Sequence, residues 1–292
     1  MGTGSSGIPL THTLITGASA GLGLELARLF AAAGEPLVLV ARNADRLTAL
    51  GDILRRDHEV DVRVLVTDLG VPGAADELVA RLADENLGIR HLVNNAGIGA
   101  YGPVAARDWS LYRDMIDLNV TVLTGLTRLL LEPMLAPGVT GPRGIMNVAS
   151  TAAFQPGPLM AVYFATKAYV LHFSEALAEE VRAAGVTVSA FCPGPTRTGF
   201  FKTEAMIPRG AVDAAGNVDQ EALQEYQRRD AARMDATLAA RVGYEGYRAG
   251  RVVVIPGLFN RLQAAVASRL PRMWIRRLAY RAMRKGQSFS RE

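Results

Sequence analysis

Short apolar runs, each followed by a helix-periodic stretch, recur along this chain, and that alternation restricts its fold more than any single residue does. HTLIT, EPLVLV, VRVLVTDL, HLVNN, GIMNVAS and TVSAFC read as buried strands, with RVVVIPG as the last. Between them lie amphipathic patterns such as LELARLFAAAG and AADELVARLADEN. Strands that are apolar on both faces and alternate with helices assemble into a parallel sheet covered on both sides. The expected class is α/β, a single doubly wound parallel sheet, and 292 residues give it ample length for a core.

Ligands of such sheets bind outside the carboxyl ends of the strands, and the motifs of this chain fall there. HTLIT runs into GASAGLG and then a helix, the strand, glycine-rich turn and helix of a Rossmann-type dinucleotide site. Gly17, Gly21 and Gly23 let the backbone turn tightly and approach a pyrophosphate, whose charge the helix amino terminus favours. Their spacing is G-x-x-x-G-x-G instead of G-x-G-x-x-G. The second strand ends in Ala41 and Arg42, with a guanidinium where a ribose-binding carboxylate would stand. Together with Ser19 as an extra donor, Arg42 suits a 2′-phosphate, so NADP(H) is expected over NAD(H). Asp68 ends the third strand, placed for an adenine edge, and Asn94, Asn95, Ala96 and Gly97 end the fourth.

A Ser, a Tyr and a Lys stand in STAAFQPGPLMAVYFATK, with Ser150 thirteen residues before Tyr163 and Lys167 four after it. On a helix Tyr163 and Lys167 share a face. An ammonium there favours the phenolate, which suits Tyr163 to general acid/base work. Ser150, at the end of a buried strand, is placed to hold a substrate oxygen beside it. A long helix is expected over residues 108–135, and inside it Asn119 either bonds to backbone or opens the helix and holds a water.

Through TGASAGLG, Asp68, NNAG, Asn119, Ser150, Tyr163-x-x-x-Lys167 and CPGPTRT, in that order, the sequence resembles the short-chain dehydrogenase/reductase family over residues 11–200, with a weaker fit through Pro256. The resemblance implies an NAD(P)-dependent oxidoreductase. Tyr163 would exchange the proton with the substrate oxygen and Ser150 would polarise that oxygen. Lys167 would lower the Tyr pKa and bind the nicotinamide ribose, and Asn119 would hold a water leading to solvent. Gly17, Ser19, Ala20, Gly21, Leu22 and Gly23 would cradle the phosphates, with Asp68 and Leu69 at the adenine. Asn95, Ala96 and Gly97 would flank the adenosine ribose, and Pro193, Gly194, Thr196 and Thr198 the nicotinamide. Many members that use NADP carry a basic residue where this chain has Ala20, so the preference rests mainly on Arg42. The family also implies a homodimer or homotetramer through the helices around Asn119 and Tyr163.

Phe154, Leu159, Met160, Phe200 and Met206 are candidates to line an apolar substrate pocket, which favours a medium or large carbonyl or secondary alcohol. Alternatives are a 3-oxoacyl thioester reductase and a dinucleotide-sensing regulator with little turnover, although a sensor needs no proton relay. Residues 1–10 read as a flexible leader without a secretory signal, 11–257 as the catalytic domain and 258–292 as an extension. Helix is expected over 221–247 as well. Cys192 is the only cysteine, which excludes an internal disulfide and fits a reducing, cytoplasmic setting. His12, His58, His91 and His172 are scattered, so no metal site is expected. From Asn260 onward nine basic residues face Glu292 alone, a balance of +8; the total being +4, the rest of the chain carries −4. The basic, amphipathic stretch over 260–285 suits a subunit contact, its own domain or an anionic membrane. Without a reading motif or a body-wide positive face, nucleic acid is not an expected partner.

Overall fold

The computed structural model describes residues 9–202, 206 and 233–284. Its sheet comprises β1 (Leu10–Thr16), β2 (Leu37–Ala41), β3 (Val62–Val66), β4 (Gly88–Asn94), β5 (Gly144–Val148), β6 (Thr187–Phe191) and β7 (Val253–Val254). The strands are parallel and lie in the order β3-β2-β1-β4-β5-β6-β7. The chain starts at the centre, winds outward one way and then crosses back beside β1. That reversal opens a crevice at the carboxyl ends of β1 and β4.

The apolar runs explain this directly. Successive side chains of a strand point to opposite faces. Leu14, Val38 and Val40 therefore enter one core, whereas Ile15, Leu37 and Leu39 enter the other. Each is fully buried, and full burial of such a side chain stabilises by roughly 1.5–3 kcal/mol. Helices α1 (Gly21–Ala32), α2 (Ala44–His58) and α3 (Ala74–Asp84) connect the first four strands. Asn43 starts α2 by accepting a hydrogen bond from Arg46 N at 2.9 Å.

The single helix expected over 108–135 is in fact three segments. These are α4 (Trp109–Ile116), a π-helical turn (Asp117–Val122) and α5 (Leu123–Met134). The π turn accommodates Asn119, whose buried amide needs partners that no straight helix supplies. Helix α6 (Ala161–Glu180) carries Tyr163 and Lys167, and α7 (Ala236–Arg248) follows the cap Asp235. Of the helix expected over 221–247, residues 221–232 lie outside the described residues, as does the 1–8 part of the leader. The last strand shrinks to two residues. Beyond it come α8 (Leu258–Arg269) and α9 (Arg272–Arg284), separated at Pro271. No described helix is long and apolar enough to cross a membrane.

A polar network crosses the sheet below the crevice. Asn94 Nδ2 donates to Asn147 Oδ1 (2.9 Å) and Thr127 Oγ1 (3.0 Å), and Asn147 Nδ2 donates to Ser174 Oγ (3.0 Å). All four side chains are buried. These bonds fix α5 and α6 against β4 and β5, while Asn94 Oδ1 is left buried without a partner among the described residues.

Candidate active site

The glycine turn begins at Gly17, with φ 65°, and closes at Gly21, with φ 57°. Both values lie in the left-handed region where glycine carries no steric cost. At Gly23 the reason is space. A Cβ there would lie 2.4 Å from Gly17 O and 2.5 Å from Asn95 Nδ2. Helix α1 starts without a side-chain cap at Ala20 and without a carboxylate in its first turn, which leaves its amino terminus open to an anion. Asn95 braces the turn, donating from Nδ2 to Thr16 O (2.9 Å) and Gly17 O (3.2 Å). Thr16 Oγ1 accepts from Asn95 N and Ala96 N, each at 3.0 Å.

Thr198 meets the same turn from β6, its Cβ 3.1 Å from where a Cβ on Gly21 would stand. Ala18 N donates to Val40 O at 3.2 Å, which sets the turn beside the end of β2 and the exposed Arg42. Asp68 is exposed at the end of β3, with Oδ1 accepting from Gly70 N at 2.9 Å, and Leu69 is buried. Ser19 is half-buried in the turn, and Leu22 packs on the core below it.

At the ends of β4, β5 and β6 the structure brings Asn119, Ser150, Tyr163 and Lys167 together. Ser150 caps the 3-10 turn Thr151–Phe154, accepting from Ala152 N at 3.1 Å, and its hydroxyl lies 3.4 Å from Pro193 O. Part of the Tyr163 side chain stays accessible, but its hydroxyl sits among protein atoms beside Ser150. Burial pushes the Tyr163 pKa up to about 12 against a smaller lowering by Ser150. Burial likewise pulls Lys167 down to about 8. The expected lowering of the Tyr163 pKa by Lys167 is therefore not what dominates. The ammonium lies 5.9 Å from the ring centroid, and burial sets the direction of the Tyr163 shift.

Lys167 Nζ donates to Val148 O at 2.7 Å, its one hydrogen bond among the described residues. Two of its three N–H donors are thus available to a ligand. Gly97 abuts this group: a Cβ there would stand 3.0 Å from Asn119 Oδ1 and 3.6 Å from Lys167 Nζ. Asn119 Oδ1 accepts from Ile98 N (3.0 Å), while Nδ2 donates to Ile98 O (2.9 Å) and Thr166 Oγ1 (3.1 Å). Both amide donors are spent, so the side chain has none left for the water expected at Asn119.

Of the pocket candidates, Phe200 and Met206 converge on Gly99, where an added Cβ would lie 2.6 Å and 3.2 Å from them. Phe200 also tilts against Tyr163, ring centroids 5.3 Å apart. Phe154 packs instead against the core cluster that includes Val170 and Leu171. Leu159 holds a left-handed φ of 67°, its carbonyl accepting from Gly102 N at 2.7 Å, and Met160 is buried at the start of α6.

Three contributors escaped the sequence. Thr166 links Asn119 to Tyr163, whose carbonyl its hydroxyl bonds at 2.8 Å. Its place one residue before Lys167 is the only sign of this. Thr16 and Asn260 have no sequence signal. Asn260 reaches back from α8 to Gly194, where a Cβ would lie 2.6 Å from its amide, while Thr196 Oγ1 donates to Gly194 O at 2.8 Å. Pro193 is buried beside them.

The crevice fits a dinucleotide. A glycine turn no side chain can enter leads to an uncapped helix amino terminus at one end. A buried ammonium with free donors lies at the other.

Known proteins agree with this geometry. A family model described as short chain dehydrogenase matches residues 11–206. Sulfoacetaldehyde reductase of Chromohalobacter salexigens is 38% identical over 202 residues, 68% of this chain and 78% of that protein. A short-chain dehydrogenase from Sphingobium yanoikuyae, solved in complex with NADPH, superposes with a TM-score of 0.70 at 29% identity, covering 97% of this chain and 99% of that one. The bulky-bulky ketone specific alcohol dehydrogenase from Comamonas testosteroni does so with a TM-score of 0.68 at 27% identity, covering 97% of each.

Proposed function

The chain belongs to the short-chain dehydrogenase family and is an oxidoreductase that interconverts a carbonyl and an alcohol, and from that premise we propose that it reduces medium or large apolar ketones or aldehydes with NADPH. The observation that carries this reading is the Tyr163 hydroxyl, placed beside Ser150, next to Lys167 and roofed by Phe200.

Burial keeps Tyr163 in its protonated form, which allows it to give a proton to a carbonyl oxygen in the direction of reduction. Ser150 holds the carbonyl oxygen in line with that donor. A bound nicotinamide dinucleotide supplies the hydride to the carbonyl carbon. The oxygen takes the Tyr163 proton and the alcohol leaves, after which Tyr163 is reprotonated from solvent. Gly17, Ser19, Ala20, Gly21, Leu22 and Gly23 would cradle the phosphates, Lys167 the nicotinamide ribose, and Pro193, Gly194, Thr196 and Thr198 the ring. Asp68 and Leu69 would flank the adenine, with Ala96 and Gly97 at its ribose. Thr166 and Asn119 act as positioning residues that hold Tyr163 and Lys167 in register. Any water relay there falls to the backbone opened by the π turn.

Arg42, exposed at the end of β2, supports a 2′-phosphate site. A panel of bulky ketones, aldehydes and 3-oxoacyl thioesters, followed by NADPH and NADH oxidation, tests the reading. NADPH is expected to outperform NADH with ketones. Arg42→Ala should remove about tenfold or more of that preference, the worth of one charged hydrogen bond of roughly 1.5–3 kcal/mol. Best turnover with a thioester would move the substrate class. Binding without turnover of any compound would favour a sensor.

A homodimer is part of the same proposal. Ile116, Val120, Ala161, Val162, Ala165 and Tyr169 border a shallow apolar depression between the π turn and α6, the kind of exposed patch that marks a partner surface. Light scattering of the purified protein should give twice the chain mass or a multiple of it, and a monomer at working concentration contradicts this.

A further inference from the structure

We propose that the outward face of α8 and α9 docks the protein on an anionic lipid bilayer. Residues 258–284 contain seven arginines and no carboxylate. The six arginines whose side chains are described, Arg261, Arg269, Arg272, Arg276, Arg277 and Arg281, are exposed and form no ion pair with a described carboxylate.

Between these charges the surface is apolar. On α8, Leu258, Phe259, Leu262 and Val266 recur at helical spacing on one side and are 82%, 77%, 61% and 44% exposed. On α9, Trp274 and Leu278, one turn apart, are 61% and 51% exposed. Neither helix can turn these residues inward, because its other side is already committed. Ala264 and Ala267 of α8, and Ile275 and Ala279 of α9, are buried against the body. Tyr101 OH donates to Met283 O at 2.9 Å and ties down the end of α9.

Charge selects the occupant. A two-fold contact with a second copy would set one arginine-rich face against another, and like charges across an interface are repulsive. An anionic bilayer meets both features at once, since arginines pair with headgroups while Trp274, Tyr280 and the leucines enter the acyl boundary.

The same helices frame the site. Helix α8 packs on the 3-10 turn after Ser150 and sets Asn260 at Gly194, and α9 holds Tyr101 two residues from Gly99. Docking thus brings the catalytic cleft to the lipid surface, where apolar substrates concentrate. This last consequence rests on the carbonyl reading above, whereas the docking itself does not.

The test is co-sedimentation of the full chain with phosphatidylcholine vesicles, with and without a third of phosphatidylserine, in the absence of substrate. Pelleting with the anionic vesicles only, declining as salt rises, is expected. The triple variant R276Q/R277Q/R281Q should lose on the order of a hundredfold in partitioning. Trp274→Glu with Leu278→Glu should abolish pelleting while both variants reduce a water-soluble ketone at the unaltered rate. Because docking is read without substrate, a protein that pellets but turns nothing over separates this proposal from the catalytic one. Failure to pellet with anionic vesicles overturns docking. So does an unchanged affinity in both variants, or light scattering in which Trp274→Glu with Leu278→Glu splits an oligomer, since the face then joins two copies.

Discussion

Tyr163→Phe is expected to lower kcat/KM for carbonyl reduction on the order of a thousandfold, about 4 kcal/mol of transition-state stabilisation. The substitution removes one oxygen and leaves the ring against Phe200 in place. Little else should change. Ser150 keeps its bonds to Ala152 N and Pro193 O, so no buried group is orphaned and the melting temperature should move by no more than a few degrees. Dinucleotide affinity should hold as well, because the glycine turn and Lys167 are untouched. Steady-state rates beside a fluorescence titration of NADPH check this. A loss of binding equal to the loss of rate would mean that Tyr163 holds ligand instead of donating a proton.

Lys167→Met is the second large effect, and it has two signs. Activity should fall on the order of a hundredfold or more and dinucleotide binding should weaken, because a buried ammonium with two free donors is lost. The fold should nevertheless become more stable near neutral pH. Burial pulls the Lys167 pKa from its ordinary 10.5 to about 8, so keeping the ammonium charged costs about 3 kcal/mol. The lost bond to Val148 O offsets roughly 1 kcal/mol of that. The sign follows from proton counting. Between pH 8 and 10.5 the unfolded chain binds the proton that the folded chain has released, so wild-type stability rises with pH across that window. The variant should lack this rise. In wild type, reduction should decline above about pH 8 as the ammonium is lost. Thermal melts and rate profiles from pH 6 to 10.5 read both, and a variant less stable at pH 7 would mean that Lys167 is chiefly structural.

Several of these features were legible in the sequence because one short-range rule determines each. Burial on both faces makes strands such as LVLVA continuously apolar, and the i, i+4 spacing puts Tyr163 and Lys167 together whatever surrounds them. Asn119 announced itself as a polar residue in an apolar helix. Its π turn and its bonds to Ile98 did not, since they depend on how the loop after β4 comes back against the helix. The pKa of Tyr163 was misjudged for a related reason: spacing shows a neighbouring charge but not the depth of burial that overrides it. Phe154 carried the same apolar signature as Phe200, yet only packing decides that one joins the core and the other faces Tyr163. Asn260 is more than sixty positions from Gly194 in sequence, and no local pattern could have placed it there.

The central claim is that Tyr163 protonates a carbonyl at a dinucleotide site built on the strand ends. A single-turnover experiment tests it most directly, with NADPH-loaded wild type and Tyr163→Phe mixed with the best bulky ketone while NADPH absorbance and alcohol are followed together. The prediction is one alcohol per NADPH oxidised by wild type, and a variant that binds NADPH equally well but oxidises it on the order of a thousandfold more slowly. A variant that keeps pace with wild type would contradict the account.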